Sequence, residues 1–75
     1  MQELIEFIVK SIVNDKDAVS VEVVKEDRFT LYNVCVASND LGGVIGKNGK
    51  IAEAIRTVVK SASSRERMRI KFEGK

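Results

Sequence analysis

The 75-residue sequence contains no histidine, no proline, no tryptophan and only one cysteine. Without histidine the chain lacks the commonest general base, the commonest metal ligand and the usual pH-responsive group. A single cysteine cannot form an internal disulfide, and it cannot by itself supply a cysteine-based metal site. We therefore expect a protein that is not an enzyme and that holds no metal and no other cofactor.

Aromatic residues are also scarce. The four present, Phe7, Phe29, Tyr32 and Phe72, are spread along the chain and do not resemble the exposed stacking aromatics of an RRM. Any recognition of bases is therefore expected to use aliphatic contacts and hydrogen bonds. Cys35 lies in an apolar stretch and is expected to be a small core residue, because a catalytic thiol would need a histidine partner.

No long uninterrupted apolar run is present. The N-terminal segment MQELIEFIVKSIV carries Glu3, Glu6 and Lys10 among its apolar residues, so it predicts neither a signal peptide nor a membrane span. The hydrophobic fraction of 44% is enough for one core in a chain of this length. We expect a single cytoplasmic domain over residues 1–75 that does not contact a membrane.

Charge is unevenly distributed, although the net charge is only +2. Residues 1–45 hold four basic and eight acidic residues, whereas residues 46–71 hold eight basic and two acidic ones. This asymmetry favours an anionic partner for the C-terminal half. A solvated charged surface would produce the same bias, and the bias alone does not separate the two interpretations.

The apolar periodicity predicts a helix followed by two strands in the first half of the chain. Residues 2 to about 13 are expected to form an amphipathic helix that packs on a sheet. AVSVEVV (18–24) and FTLYNVCVA (29–37) predict antiparallel strands joined by a charged turn. The expected buried residues are Leu4, Ile5, Phe7, Ile8, Ile12 and Val13 in the helix, and Val19, Val21 and Val23 in the first strand. For the second strand two sets compete, namely Phe29, Leu31 and Cys35 on one face and Tyr32, Val34 and Val36 on the other.

The second half predicts a short helix, a longer helix and a last strand. Ser38, Asn39 and Asp40 are candidate N-caps for a short helix through LGGVIG (41–46). A second helix begins at Lys50, and RMRIKFE (67–73) alternates as a strand. The expected apolar face of the second helix holds Ile51, Ile55, Val58, Val59 and Ala62, and Met68, Ile70 and Phe72 are expected to point inward from the last strand. Arg67, Arg69 and Lys71 then point outward, where edge-strand protection or solvation is favoured over a secondary electrostatic contact.

Four of the five glycines, at positions 42, 43, 46 and 49, fall within eight residues. Their spacing matches neither the P-loop nor the G-x-G-x-x-G dinucleotide pattern. GKNG (46–49) instead fits a turn between two helices, which needs backbone conformations that glycine adopts readily. A sugar–phosphate backbone can approach such a loop closely, and Lys47 and Lys50 would attract its phosphates. A plain helix–helix turn is the alternative, while Gly42 and Gly43 are expected to relieve local backbone strain.

VIGKNGK (44–50) resembles the [VI]-I-G-x-x-G signature of K-homology (KH) domains. The predicted order, α-β-β-α-α-β, resembles their type II arrangement, an α+β fold with helices on one face of a three-stranded sheet. Residues 1–73, including DLGGVIGKNGKIAEAIRTVV, are similar to the small stand-alone bacterial KH proteins of the KhpA family. One departure is Gly43, where such sequences often carry a basic residue.

The resemblance implies a cleft for single-stranded RNA, or single-stranded DNA, in which the loop formed by Gly46, Lys47, Asn48 and Gly49 clamps about four nucleotides. Lys50 would add a phosphate contact. Val44 and Ile45 before the loop, and Ile51 and Ile55 after it, are the implied candidates for the adjoining apolar groove and core. For Arg56, which matches the family's AIRT run, an RNA contact and a solvated or ion-paired role stay open.

The resemblance also implies how such a protein acts. KhpA-like proteins are RNA-binding regulators or chaperones that act with a larger KH-containing protein, KhpB, in cell elongation and envelope synthesis. A homodimer, or a heterodimer with a KhpB-type partner, is therefore expected. The alternative is a protein-interaction or dimerisation subunit with little RNA binding of its own.

Overall fold

The computed structural model describes residues 1–63 and 66–75 and contains the predicted sequence of elements. None of the described helices is long and apolar enough to span a bilayer. The three helices pack on one face of the three-stranded sheet, as the type II KH arrangement requires. In chain order the elements are α1 (Gln2–Lys10), β1 (Ser20–Lys25), β2 (Thr30–Val36), α2 (Leu41–Ile45), α3 (Lys50–Ala62) and β3 (Met68–Gly74).

The sheet has the order β1-β2-β3, so β2 is its central strand. β1 and β2 pair antiparallel without interruption, and the N–H of Glu26 donates to the carbonyl of Phe29 at 2.9 Å across the turn between them. β2 and β3 pair parallel, with Thr30 opposite Met68 and Val36 opposite Gly74. Because a parallel pair needs a crossover connection, α2 and α3 lie between these two strands in the chain. The loop that joins these helices is thereby placed beside β3.

The buried face of β2, which the sequence left open, consists of Tyr32, Val34 and Val36. Successive side chains of a strand point to opposite faces, so Cys35 lies on the face of the sheet without helices. Cys35 is half-buried there, and the prediction that it is a core residue was wrong. Its thiol donates to Oε1 of Glu73 at 3.2 Å. This hydrogen bond, with burial as a second cause, raises the pKa of the Cys35 thiol.

α1 is shorter than predicted and buries a narrower face. It ends at Lys10, and the hydroxyl of Ser11 donates to the carbonyl of Ile8 at 2.6 Å. Ile5 and Val9, one helical turn apart, are fully buried. Phe7, expected in the apolar face, is 73% exposed because it lies on the opposite side of the helix from these two residues.

The predictions for the other apolar faces were also partly wrong. The buried residues of α3 are Ala52, Ile55 and Val59. Ile51 and Val58 flank this narrow stripe and are 39% and 52% exposed. Ile12 and Ala62 are likewise exposed rather than buried, and so is Val23 in the edge strand β1. Val13 is buried as expected, although it lies beyond the end of α1.

The buried hydroxyl of Tyr32 connects the sheet to the segment before β3. It donates to Oε1 of Glu66 at 2.8 Å, and the Ser63 hydroxyl donates to Oε2 of the same carboxylate at 3.0 Å. Burial and the neighbouring carboxylate raise the pKa of Tyr32 to about 12. The hydrogen bond from Tyr32, together with that from Ser63, lowers the pKa of Glu66. The Glu66 carboxylate is therefore committed to internal hydrogen bonds.

Asp40 occupies the N-cap position of α2, as predicted for one of three candidates, but its side chain does not cap that helix. Its two carboxylate oxygens instead accept the backbone N–H groups of Asn14 and Asp15 at 3.1 and 3.0 Å. These hydrogen bonds, that from Asp15 first, lower the pKa of the buried Asp40 carboxyl. Asp40 thus fastens the connection between α1 and β1 to the start of α2.

We predict that Asp40→Asn lowers the melting temperature at pH 7 by about 5 °C or more, because the amide replaces one of the two acceptor oxygens by an NH₂ group, which cannot accept a backbone N–H. A carboxyl whose pKa is lowered by folding adds stability above its unfolded pKa, and this contribution is lost as the pH falls through the folded pKa. The stability difference between wild type and variant should therefore shrink as the pH falls from about 6 to 3. Thermal unfolding followed by circular dichroism measures both effects. A difference that stays constant over this range would contradict the role assigned to the carboxylate.

Candidate nucleic-acid interface

The GKNG loop, residues 46–49, is a tight turn between α2 and α3. The N–H of Gly49 donates to the carbonyl of Gly46 at 3.2 Å and closes the turn, and Asn48 between them has non-helical backbone angles. Three residues have positive φ angles, namely Gly46 at 75°, Asn48 at 58° and Gly49 at 75°. Glycine adopts this region freely, and asparagine enters it more readily than most residues. The predicted turn between helices, with glycines at its special backbone positions, is confirmed.

The two loop glycines are constrained to different degrees. A Cβ atom on Gly46 would lie 2.6 to 2.9 Å from three atoms of the Ile51 side chain, so only glycine fits there. Gly49 has open space around it and is required by its φ angle alone. Gly42 and Gly43 have neither a positive φ nor a close neighbour, so the expectation that they relieve backbone strain was wrong. They leave the exposed surface of α2 without side chains at these two positions.

The loop presents uncompensated positive charge to solvent. Lys47, Asn48 and Lys50 are exposed. Over residues 1–63 and 66–75, the only ion pair within 4.0 Å joins Lys10 to Glu6, so neither loop lysine is neutralised by a carboxylate. α3 begins immediately after Gly49 without a side-chain cap. The partial positive charge of this helix terminus adds to that of the lysines.

A groove of about 260 Å³ opens beside the loop, between α3 and β3. Ile45 and Gly49 line it on the helical side, and Ile70, Lys71 and Phe72 line it on the strand side. Ala52 and Arg56 of α3 complete its lining.

Of the four apolar residues predicted for the groove and core, only Ile45 reaches this groove. Val44 and Ile55 are buried in the core and support the groove without facing it. Ile51 packs against the backbone of Gly46.

Arg56 crosses from α3 to β3. Its Nε and Nη2 atoms donate to the carbonyl of Ile70 at 3.3 and 3.2 Å, and its guanidinium carbon lies 5.4 Å from the centre of the Phe72 ring. It is therefore neither ion-paired nor simply solvated, and it remains part of the groove lining. The sequence did not indicate these contacts, because they exist only once β3 is placed beside α3.

The strand side of the groove is a free sheet edge. The N–H of Thr30 donates to the carbonyl of Arg67, and the N–H of Lys75 donates to the carbonyl of Val36. The odd-numbered residues of β3 therefore pair with β2 through their backbone groups. The backbone groups of Met68, Ile70 and Phe72 point away from β2, towards the free edge. The prediction of an edge strand with outward basic residues is confirmed, since Arg67, Arg69 and Lys71 are all exposed.

The contribution of β3 to the groove was missed at the level of individual residues. The alternation in RMRIKFE predicts that Ile70 and Phe72 point inward, but it does not indicate what they face. The groove could have been predicted only if the parallel pairing of β3 with β2 had been known.

Comparison with known proteins gives consistent results. A model of the KH-domain family KhpA/KhpB matches residues 2–73. The chain is 44% identical over 73 residues to the RNA-binding protein KhpA of Clostridium acetobutylicum, with 97% of each chain covered. It is 39% identical over 71 residues to the RNA-binding protein KhpA of Borreliella burgdorferi, covering 95% of this chain and 87% of the relative. No solved structure gives a significant match. The fold, the loop and these matches together show that the chain belongs to the KhpA/KhpB family of KH domains.

Proposed function

We propose that this protein is a non-catalytic, single-stranded RNA-binding protein that grips the sugar–phosphate backbone with its GKNG loop. The observation that carries the proposal is the exposed loop itself, in which each of two glycines at positive φ is followed directly by a lysine that forms no ion pair, beside the groove between α3 and β3. KH domains are binding modules in which such a loop clamps four backbone nucleotides. The chain belongs to that class of module and is not an enzyme.

In this proposal the loop contacts the phosphates of the RNA and the groove contacts its bases. Lys47 and Lys50 neutralise phosphates, while the bare backbone at Gly49 lets the strand lie close to the start of α3. The bases then turn into the groove against Ile45 and Phe72. Arg56 holds one strand-edge carbonyl and lines the same groove, so we assign it the RNA contact that the sequence left open, in addition to its structural contact with β3.

RNA is favoured over single-stranded DNA because the relatives in Clostridium acetobutylicum and Borreliella burgdorferi are both named as RNA-binding proteins. One small groove contacts few nucleotides, so a single copy binds weakly, and pairing of two sites raises the avidity. We propose that the protein works in the cytoplasm as a homodimer or with a KhpB-type partner, as an RNA chaperone or regulator in cell elongation and envelope synthesis. The partner and the pathway are those that the resemblance to KhpA-like proteins implies.

The first test replaces Lys47 and Asn48 together by Asp. We expect RNA binding to fall by about tenfold or more, because two carboxylates repel phosphate where one ammonium attracted it. The fold should be retained, since both side chains are exposed and aspartate tolerates the positive φ of position 48. Fluorescence anisotropy with a labelled oligouridylate measures the affinity, and circular dichroism checks the fold.

The matched control is Lys25→Asp with Asn39→Asp, which makes the same chemical changes at two exposed positions outside the loop and the groove. It should bind RNA nearly as well as the wild type. If the loop variant also retained its affinity, the protein would not use the GKNG loop as a clamp, and the interaction-subunit alternative would gain support.

A second test varies the salt concentration. Phosphate contacts release counterions, so the logarithm of the binding constant should fall linearly with the logarithm of salt, by about 0.7 per phosphate contacted on a single strand. With two loop lysines in contact with phosphates, we expect a slope of about −1.4 or steeper for the wild type. A slope near zero would show that phosphate contacts do not provide the affinity.

A third test concerns pairing of chains. Phe7 on α1 and Val58 on α3 are the two most exposed large apolar side chains, and neither packs in the core. We expect the wild type to self-associate in sedimentation equilibrium, and Phe7→Ser with Val58→Ser to weaken that association by about tenfold or more. Unchanged association of the variant would place the pairing surface elsewhere.

A further inference from the structure

The cleft between α3 and β3 continues beyond the groove beside the GKNG loop. A second cavity of about 240 Å³ shares Arg56 and Ile70 with that groove. A third, of about 570 Å³, in turn shares Lys60, Met68 and Arg69 with the second. The three cavities follow one another along the free edge of β3, from the loop to the beginning of the strand, with the side chain of Arg56 between the first two, and we call this series the channel. We call the third cavity the distal cavity.

The distal cavity is strongly basic. Four exposed cations, Arg28, Lys60, Arg67 and Arg69, line it together with a single carboxylate, that of Glu66. In the described part of the chain, no carboxylate lies within 4.0 Å of any of the four cations.

The one carboxylate in the lining is hydrogen-bonded to hydroxyl groups of the protein and not to the four cations. Both oxygens of Glu66 accept hydroxyl hydrogen bonds, from Tyr32 and Ser63. Glu66 keeps its negative charge but forms no ion pair with the four cations, so the lining carries an excess of three positive charges that an anionic ligand would compensate.

Part of the cavity is held in a fixed arrangement. The guanidinium carbon of Arg69 lies 4.9 Å from the centre of the Phe29 ring, within the range of a cation–π contact. Phe29 belongs to the closed turn between β1 and β2, where its carbonyl accepts the N–H of Glu26. Arg28, next in the same turn, thus stands beside an ordered arginine–aromatic pair. Such a pair is a surface on which a nucleotide base can stack.

The distal cavity lies beyond the reach of the loop. α3 rises about 1.5 Å per residue, so Lys60 is about 16 Å along the helix from Gly49. A strand held at the loop and lying in the channel would arrive at the distal cavity with its next phosphates. Along this route Arg56 lines both the groove and the second cavity, and Lys60 lines both the second cavity and the distal cavity.

We propose that the distal cavity is a second RNA-contacting site, which binds the phosphates of nucleotides beyond the four held by the GKNG loop. The inference rests on the proposed function and extends it, because it makes affinity depend on the length of the RNA strand. Its ligand is the single-stranded RNA already held in the groove. The shared lining residues that link the groove to the distal cavity along β3 favour this ligand over an independent anion.

The test compares oligouridylates of about four and about ten nucleotides, each fluorescently labelled, on the variant Arg28→Glu with Arg67→Glu. Both side chains are exposed, and neither takes part in the Arg69–Phe29 contact. Lys25→Glu with Lys75→Glu is the matched control, since it changes the net charge equally at two exposed positions outside the channel. Circular dichroism confirms that both variants are folded.

For the wild type, we expect the longer strand to bind about tenfold more tightly than the shorter one. The distal variant should bind the short strand as the wild type does and lose most of the tenfold gain on the long one. Its salt slope on the long strand should fall by about 1.4, which corresponds to two lost phosphate contacts. The control should keep both the gain and the slope.

Two results would overturn the proposal. One is a distal variant that binds the long strand as well as the control does, and the other is an equal loss on both strand lengths. The GKNG loop is tested separately by the Lys47 and Asn48 variant, which should weaken both lengths. Loss of binding there with no length effect at the distal cavity would leave the proposed function standing and remove only this inference.

Discussion

The backbone of Gly46 lies directly against the side chain of Ile51, and this contact sets how closely α2 and α3 approach each other. A side chain at position 46 would force the two helices apart or rotate the loop between them. Ile45 and Ala52, which line the groove, lie immediately on either side of the contact in the chain. The depth of the groove and the exposure of the loop lysines therefore depend on one position at which no other residue fits.

The carboxylates that hold the fold together do not pair with the cations on the surface of this molecule. The buried carboxylate of Asp40 is satisfied by backbone N–H groups, and that of Glu66 by hydroxyl groups. Neither carboxylate forms an ion pair with a lysine or an arginine. Over residues 1–63 and 66–75, the cations of the second half of the sequence form no ion pair along the loop, α3 or the edge of β3. The basic residues that are concentrated in the second half of the sequence are therefore also concentrated on one part of the surface, formed by the loop, α3 and β3.

The sequence was a good guide where structure depends on neighbours in the chain. The order of elements and the backbone of the GKNG loop follow from local periodicity and from glycine spacing, and both are confirmed. It was a poor guide to orientation. Phe7 and Val58 fit helical apolar patterns yet lie outside the core, because each helix buries only a narrow stripe against the sheet.

The candidate site shows the same division. The loop residues were predicted as a group, since they are consecutive. The contacts of Arg56 with Ile70 and Phe72 were not, because they join an α-helix to a strand whose position is decided by parallel pairing with β2. The buried set of β2 was undecided for a related reason. Both of its faces carry apolar side chains, and only the placement of the helices selects Tyr32, Val34 and Val36.

The parallel pairing of β3 also couples ligand binding to folding. β3 is an edge strand, held to the sheet on one side only, and its partner β2 lies more than half a chain length earlier. Contacts between segments so far apart in sequence form late and open readily at an edge. If RNA binds between α3 and β3 as proposed, it binds only when β3 is in place, and it stabilises that state increasingly as its concentration rises above the dissociation constant. The RNA then acts as the missing neighbour of the edge strand, and slow exchange of the β3 amide hydrogens becomes a measure of how full the groove is.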